Sequence, residues 1–513
     1  MNKTMTVFLF ISMTCLFAFL PMRANSVLKA EGFKHYVDYF NRMEDENVVQ
    51  AVPNSKAWNW MKKNIPLFEC PQRQFEEIYY FRWWSFRKHI QKTPLGYAFT
   101  EFLVPRSYAD QFNLISSALG HHIYEARWLR DTTYLDQAVR IWFHGNGGKP
   151  MKKLHSFSGW NADAVYGQYL VTGNRKTAVG RLFDLVEDYA AWEAERRLPS
   201  GLFWQYDVND GMEESLSGGR REKNARPSIN SYMFGNAKAV AEIADMAGRV
   251  DLAEKYRSKA DTIKRLVEQR LWNVGDAFFE TQKESGTSAG VREAIGFIPW
   301  YFCLPDSGYE TAWTQIVDPQ GFLAPFGLTT AERRNPLFRS HGCCNCEWDG
   351  AIWPFATSQT MTALANLMNQ YKQSIVTDSV YFRLLELLVE LQYREGRPYI
   401  GEYLDETTGA WLKGGEERSR YYNHSTFCDL VITGLVGLRP RPDDVVEINP
   451  LIPENRWDWF CLDRVPYHGR LLTILWDRTG KKYGRGKGLL LLVAGKEAAR
   501  SAKLGKIAVE LNH

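Results

Sequence analysis

The sequence predicts a mainly α protein, an (α/α)6 toroid of helical hairpins with a small C-terminal β-sandwich. Apolar residues recur at helical spacing in about a dozen segments. Short turns alternate with long loops rich in Gly, Trp and Asp, as expected for a ring of hairpins whose long loops gather at one mouth. After Arg439, short β-rich runs separated by turns replace the helical spacing. We therefore expect a helical domain over residues 27–438 and a β-sandwich over residues 439–513.

The N-terminus has the features of a secretory signal. Lys3 gives a positive start, residues 7–20 form an apolar run too short for a comfortable membrane span, and Ala24-Asn25-Ser26 offers the small residues that a signal peptidase prefers. We predict a signal peptide over residues 1–26 and a protein exported to the periplasm or secreted. No later run is long and apolar enough to span a bilayer, so no membrane association is expected once the signal is removed.

The amino-acid composition limits the classes of molecule that the protein is expected to bind. The formal net charge is +4 over 513 residues and no block of like charge stands out, which argues against nucleic acid and anionic membranes. Aromatic residues make up 14% of the chain, including 18 Trp, and this content in an exported protein favours carbohydrate binding. The sequence leaves the oligomeric state open, and we expect no cofactor and no metal.

The first predicted helices are rich in aromatic and polar residues. Residues 57–63 and 72–90 are predicted helices, and Arg82, Trp83 and Trp84 lie in the second. Core packing accounts for most of these rings, although one aromatic edge could line a cleft. Residues 108–129, predicted as a helix or a helix pair, mix polar and apolar residues as a helix end facing a polar pocket would.

Later segments form hairpins. Gly248 makes a tight turn between two predicted antiparallel helices. The remaining predicted helices span residues 133–142, 176–195, 232–247, 251–267, 354–371 and 377–393.

The loop over residues 201–215 is the first candidate for chemistry. It combines Phe203 and Trp204 with four carboxylates. Aromatic faces stack on sugar rings, and a carboxyl group beside an indole is desolvated, so that it holds a proton and can act as a general acid. A solvated acidic loop that buries one Trp is the alternative interpretation.

Two further loops share this character. Residues 347–354 read Glu-Trp-Asp-Gly-Ala-Ile-Trp-Pro, and residues 401–411 read Gly-Glu-Tyr-Leu-Asp-Glu-Thr-Thr-Gly-Ala-Trp. All three loops enter or leave predicted helices, so in a toroid they can meet at one mouth.

These motifs resemble inverting (α/α)6-barrel glycoside hydrolases related to family 63 and the mannosylglycerate hydrolases, and more distantly the family 37 trehalases. The resemblance covers residues 81–437. In those families the general acid is the Asp of a Ser-Gly-Met/Trp-Asp-x-Ser motif, and this chain has Asp210-Gly-Met-Glu213-Glu-Ser215. The match falls on Glu213, with Glu in place of Asp, which leaves Asp210 and Asp207 as rival acids.

The same resemblance implies a general base. In the families a Glu opens a Glu-x-Tyr-x-Pro-x-Thr-Gly segment, and Glu402 opens the segment here, which ends in Thr-Gly409 but lacks the Tyr and Pro. Trp348 to Pro354 is similar to the segment that borders the sugar site. The resemblance implies a glycosidase that acts on short glycosides or oligosaccharides, exo and with inversion. The candidate catalytic residues are Glu213, Glu402 and Asp210; the candidate substrate-binding residues are Arg82, Trp83, Trp84, His121, Glu125, Arg127, Trp128, Trp160, Trp204, Asp207, Trp348, Asp349, Trp353 and His424.

Three alternatives remain. A polysaccharide lyase on a helical toroid would use Tyr422 or His424 as its base. A retaining arabinofuranosidase with a zinc-held Cys nucleophile would use Cys343 and Cys344, although Cys303 lacks the upstream Glu that such a site needs. A glycan-binding protein without catalysis is the third.

Overall fold

The computed structural model describes residues 26–342, 346–413 and 416–511. The predicted signal peptide therefore lies almost wholly outside the described residues, as do Cys343 and Cys344. Within the described part, no helix is long and apolar enough to cross a membrane.

The larger part of the chain is helical. The helices are α1 Lys34–Arg42, α2 Ala57–Asn64, α3 Arg73–Lys88, α4 Leu119–Ala126, α5 Thr133–His144, α6 Asn161–Thr172, α7 Arg175–Gly180, α8 Leu182–Arg196, α9 Pro227–Met246, α10 Val250–Arg270, α11 Ile298–Tyr301, α12 Pro354–Gln370, α13 Asp378–Glu390, α14 Glu416–Ser419 and α15 Cys428–Leu430, which a π-helical turn at Val431–Leu435 extends.

Helix contacts form a closed series. α4 packs on α6, α6 on α9, α9 on α11, α11 on α12, and α12 on α15, which returns to α4 and α3. Helices α8, α10 and α13 pack against members of this series. The members carry long runs of buried residues, and α9 is buried from Pro227 through Ala237. A closed ring of buried helices leaves the loops at its ends as the places where polar side chains can gather.

Strands are concentrated after α15. They are β1 Leu67–Glu69, β2 Ile90–Thr93, β3 Gly96–Phe99, β4 Trp272–Asn273, β5 Phe278–Phe279, β6 Leu323–Ala324, β7 Gly327–Leu328, β8 Tyr393–Arg394, β9 Arg397–Pro398, β10 Leu438–Arg439, β11 Val445–Ile448, β12 Trp459–Tyr467, β13 Arg470–Asp477, β14 Gly488–Val493, β15 Lys496–Ser501 and β16 Ile507–Glu510. One antiparallel sheet has the order β1-β12-β13-β14-β15 and a second has β10-β11-β16.

The C-terminal strand region is confirmed, with two additions. β1 lies between two predicted helices of the helical domain, pairs with β12 and joins the early chain to the C-terminal sheet. β15 was not predicted, because its mostly polar residues do not alternate with apolar ones.

Three helix predictions need correction. Residues 108–118 are loop and 3-10 turns, since Phe112 and Asn113 have positive φ angles of 62° and 57°, which an α-helix does not accept. Residues 176–195 divide into α7 and α8 at Arg181. α9 begins at Pro227, five residues before the predicted start, because Pro is tolerated in the first helical turn. Helix α6 was not predicted at all.

Candidate active site

The three loops predicted to share one mouth are joined by backbone hydrogen bonds. The Trp348 N–H donates to the Glu213 carbonyl oxygen at 3.2 Å, which ties the second loop to the first. Ile352 and Leu404 exchange two N–H···O bonds of 3.0 Å, which tie the second loop to the third. The prediction that these loops meet is confirmed.

The first loop is a series of turns held by its own carboxylates. Asp207 Oδ1 accepts the Val208 N–H at 2.6 Å, and the Asp207 carbonyl accepts the Met212 N–H at 2.9 Å. Asp210 forms an ion pair of 2.9 Å with Arg226, and both side chains are completely buried. Asp207 and Asp210 are therefore engaged in holding the loop that carries Glu213, and neither lines the cavity described next.

A cavity of about 420 Å³ opens where the loops meet. Its volume is within the range typical of small-molecule sites. Five of the predicted site residues line it: Glu213, Glu402, Trp348, Trp353 and His424. The other lining residues are Glu101, Tyr108, Ile115, Ser117, Lys153, Ser156, Phe157, Val208, Gly211, Cys346, Phe355, Lys413, Arg418 and Tyr422.

Glu213 is a carboxyl group with a high proton affinity. Burial raises its pKa to about 7, because the charged form loses its hydration there; nearby Lys413 acts in the opposite direction, and Glu402 adds to the rise. A carboxyl in this condition retains a proton near neutral pH and can donate it.

Glu402 is held by hydrogen-bond donors. Its Oε2 forms an ion pair with Arg418 and accepts the Ser419 hydroxyl at 3.1 Å. Its carbonyl oxygen lies 3.1 Å from His424 Nε2, so the backbone is fixed as well. The Arg418 guanidinium and the Ser419 hydroxyl thus fix the orientation of the Glu402 carboxyl group.

Stacked rings form the aromatic wall of the cavity. The Trp348 and Trp353 rings stack at 4.6 Å with 24° between their planes, and Trp353 stacks on Tyr403 at 4.6 Å and 15°. Trp353 Nε1–H donates to the Glu347 carbonyl at 3.1 Å. This wall is rigid, and apolar ring faces suit the apolar face of a sugar.

Several residues that line the cavity were not predicted from the sequence. Glu101, at 4% exposure, accepts the Ser117 hydroxyl at 2.6 Å and the Tyr422 hydroxyl. Cys346 Sγ contacts Lys413 Nζ. Glu101 lies two residues after the end of β3, outside the three loops that the sequence singles out, so only the tertiary fold reveals it.

Four candidates do not line the cavity: Arg82 in α3, Glu125 in α4, and Arg127 and Trp128 directly after α4. Arg82 donates to Gln392 at 3.0 Å and to the Ser425 carbonyl at 2.6 Å. The remaining three hold the start of α15. Arg127 forms a 2.8 Å ion pair with Asp429, and Trp128 Nε1–H donates to the same carboxylate at 2.7 Å. Glu125 accepts the backbone N–H groups of Phe427, Cys428 and Asp429. The prediction that they line the cavity mouth is not met, because their polar groups are buried and hold Gln392 and residues 425–429.

The other candidates are also interior. Trp83, Trp84 and Trp160 are fully buried, and His121 lies between the rings of Trp160 and Phe355 at 5.0 and 4.5 Å. Trp204 is covered by Arg196 and Lys223, and Asp349 accepts the His341 N–H at 2.9 Å. These residues support the ring and the loops and do not line the cavity.

Among the described residues, no group of three His, Cys, Asp or Glu side chains is arranged to hold a metal ion. The zinc alternative depends on Cys343 and Cys344, which lie outside that part.

Comparison with known proteins identifies the family. The sequence model of the mannosylglycerate hydrolase MGH1-like glycoside hydrolase domain matches residues 111–425, and that of the glycosyl hydrolase family 65 C-terminal domain matches residues 438–499. A solved structure titled "Sialidase" is 61% identical, with a TM-score of 0.94, over 96% of this chain and 46% of that chain. This chain thus spans about half the length of that relative.

Two more distant structures share the fold. The GH63 mannosylglycerate hydrolase from Thermus thermophilus in complex with glucose has a TM-score of 0.53 at 13% identity, over 69% of this chain and 99% of that chain. The GH78 family rhamnosidase of Bacillus sp. GL1 has a TM-score of 0.59 at 11% identity, over 80% of this chain and 40% of that chain. The family resemblance found in the sequence is confirmed: this chain belongs to the mannosylglycerate hydrolase MGH1-like glycoside hydrolase domain family.

Proposed function

We propose that this protein is an exported glycosidase that acts on the terminal sugar of a glycoside or oligosaccharide with inversion, with Glu213 as general acid and Glu402 as general base. One observation carries the proposal: both carboxyls line one cavity, and their surroundings differ. Burial raises the pKa of Glu213 to about 7, whereas Glu402 forms an ion pair with Arg418. Such a division between two carboxyls is what glycoside hydrolysis requires.

The reaction follows from these two states. Glu213 donates its proton to the glycosidic oxygen as that bond breaks, so the leaving group departs as an alcohol. Glu402 accepts a proton from a water that attacks the anomeric carbon from the other face. An inverting pair needs carboxyls ~6.5–9.5 Å apart to admit this water, compared with ~5–5.5 Å for a retaining pair.

Exo action is supported by the cavity itself. A volume of about 420 Å³ suits a terminal sugar better than a long chain. The Trp348 ring, which lines the cavity and stacks on Trp353, offers apolar surface to the sugar. The closed series of helix contacts supports the (α/α)6 arrangement, and the family assignment favours hydrolysis over a lyase reaction or binding alone.

The decisive test is the configuration of the first product, followed by NMR during hydrolysis of an aryl glycoside chosen by screening. We expect the inverted anomer. Glu402→Gln should be nearly inactive and should be rescued by azide with formation of the inverted glycosyl azide. A retained anomer would reject Glu402 as a base.

Leaving-group dependence tests the acid separately. Glu213→Gln should lose about 10²–10⁴-fold in rate on an ordinary alkyl glycoside. It should lose far less on a dinitrophenyl glycoside, since that leaving group needs no proton. Equal losses on both substrates would contradict the assignment of Glu213.

Export is proposed from the N-terminal sequence. Lys3 and the apolar run at residues 7–20 support a cleaved signal. N-terminal sequencing of the protein from the periplasmic or culture fraction should begin near residue 27. Recovery of an intact N-terminus from the cytoplasm alone would reject export.

A second candidate is retaining hydrolysis through a cysteine nucleophile. Cys346 lines the cavity and contacts Lys413, which is the observation in its favour. Burial raises the pKa of the Cys346 thiol to about 11, so a reactive thiolate would need a metal ion. Stoichiometric zinc together with a retained product would favour this candidate over the first.

A further inference from the structure

Glu101, Ser117 and Tyr422 form one wall of the cavity, which we call the Glu101 wall. Ser117 Oγ–H donates to Glu101 Oε2 at 2.6 Å, and the Tyr422 hydroxyl donates to Glu101 Oε1. All three residues line the cavity, and neither the family assignment nor the proposed acid and base assigns them a role.

The Glu101 wall is rigid. The Tyr422 ring packs against Phe102 and His424 with ring centroids 4.4 and 4.0 Å apart. The Glu101 carbonyl accepts the Asn423 N–H at 3.0 Å, which fixes the Glu101 backbone beside the residue that follows Tyr422. A group fixed in this way loses little conformational entropy when a ligand binds.

The directions of the hydrogen bonds within the Glu101 wall show which ligand groups it can bind. Both hydroxyl protons point to Glu101, so the Ser117 and Tyr422 oxygens present lone pairs to the cavity. Burial raises the pKa of Glu101 to about 7. In the ionised form, each of its oxygens accepts one hydroxyl and retains capacity for another hydrogen bond. The wall therefore offers acceptors in several directions, and its complement is a ligand edge that carries hydrogen-bond donors.

We propose that Glu101, oriented by Ser117 and Tyr422, is a specificity-determining residue that accepts hydrogen bonds from free hydroxyl groups on one edge of the terminal sugar. The inference rests on the proposed function, because it uses the same cavity. Glu101 selects a sugar with free hydroxyls at that edge and discriminates against deoxy and O-alkylated analogues. A sugar lacking the hydroxyl leaves a buried acceptor without a partner, which a site built for hydrogen bonding penalises strongly.

The test begins with binding, so that it does not depend on turnover. Free pentoses and hexoses are screened by thermal shift and calorimetry, and each monodeoxy and mono-O-methyl form of the best ligand follows. We expect one or two ring positions at which removal or methylation of the hydroxyl weakens binding by at least about 10-fold. Glu101→Gln should weaken binding of the parent sugar while leaving the affinity for the analogue altered at that position nearly unchanged.

Two further variants show whether an effect of Glu101→Gln on binding comes from misfolding. Tyr422→Phe removes the donor that orients Glu101, and it should reduce the same discrimination to a smaller extent. Gly32→Ala, remote from the cavity wall and with open space around its Cα, is the folding control. The proposal fails if no sugar binds the wild type, or if both wall variants retain full discrimination.

Kinetics separate this inference from the proposed function. If Glu101 recognises the sugar, Glu101→Gln lowers kcat/KM for the parent glycoside and leaves the basic limb of the pH–rate profile in place. Loss of the basic limb would instead make Glu101 the acid and overturn its recognition role. Undiminished turnover in Glu213→Gln would instead reject Glu213 as the acid. That result would leave the binding results for Glu101 unaffected.

Discussion

The backbone N–H of Trp348 donates to the carbonyl oxygen of Glu213 across 3.2 Å. The aromatic wall and the candidate acid thus belong to one hydrogen-bonded loop assembly, although 135 residues separate them in sequence (348 − 213). A change in either loop will move the other, so catalytic tests must change side chains and leave this backbone contact in place.

Glu213 should set the basic limb of the pH–rate profile. Burial raises its pKa to about 7, so the protonated acid is present below that pH and disappears as the pH rises through it. We expect kcat/KM to fall about tenfold per pH unit well above pH ~7. Glu213→Gln should remove this limb together with most of the activity.

The neighbouring carboxylate provides the matched control. Glu214 is paired with Arg220 at 2.9 Å and does not line the cavity. Glu214→Gln should retain most of the activity and the same basic limb. If the limb disappears in this variant, the acid has been assigned to the wrong residue.

The buried pair of Asp210 and Arg226 should matter for stability. Arg226→Met leaves the Asp210 carboxylate in the interior without its cation, and we expect it to lower the free energy of unfolding by about 3–5 kcal/mol. A double variant, Asp210→Asn with Arg226→Met, should recover part of the loss. Denaturant unfolding of the single and double variants measures both effects.

A partly exposed ion pair provides the control for this stability test, and an activity assay tests Asp210 as the rival acid. Arg197→Met, which breaks a partly exposed pair with Glu193, should change stability little. If Asp210→Asn keeps full stability and abolishes turnover on alkyl glycosides alone, Asp210 is the acid after all.

Sequence reasoning succeeded where local chemistry was distinctive. Trp348, Trp353, Glu213 and Glu402 lie in loops that mix aromatic rings, acids and glycines, and such loops stand out against helical spacing. Their meeting at one mouth followed from the alternation of short turns and long loops.

Predictions from the sequence were wrong where the role of a residue depends on its burial in the folded protein. The α3 cluster with Trp83 and Trp84 is buried on all sides, and an aromatic run does not reveal which ring faces a cavity. Glu101 meets Tyr422 across 321 residues of sequence, and no local pattern encodes such a contact. The charged residues Glu125 and Arg127 looked functional because buried charge is rare, yet they secure α15.

Gly401 should be intolerant of a side chain. A Cβ built there would lie 2.7 Å from Trp411 Cε3, closer than carbon atoms approach. Gly401→Ala should therefore cost about 1–3 kcal/mol of stability. It should also lower kcat, since it displaces the backbone of the adjacent Glu402, and a misplacement of ~1 Å can cost about 10²-fold in rate.

The Gly401 prediction has a simple control and rescue. Gly32→Ala, where no heavy atom lies within 4 Å of the new Cβ, should be neutral in both assays. Adding Trp411→Ala to Gly401→Ala should restore part of the activity. A neutral Gly401→Ala would show that Trp411 moves aside freely.

Glu76 should make the folded protein less stable as the pH rises. Burial raises its pKa to about 7 from an ordinary value of 4.5, against the hydrogen bonds from the Tyr36 hydroxyl and the Cys70 N–H. Between these values the native state binds more protons than the unfolded state, so its contribution to stability is present below pH ~4.5 and is lost as the pH rises to ~7. Glu76→Gln should flatten this decline when unfolding free energies are compared between about pH 5 and about pH 8. Glu254→Gln, at an exposed site on α10, should leave the slope unchanged. An unaltered slope in Glu76→Gln would mean that the carboxyl ionises at the same pH in both states.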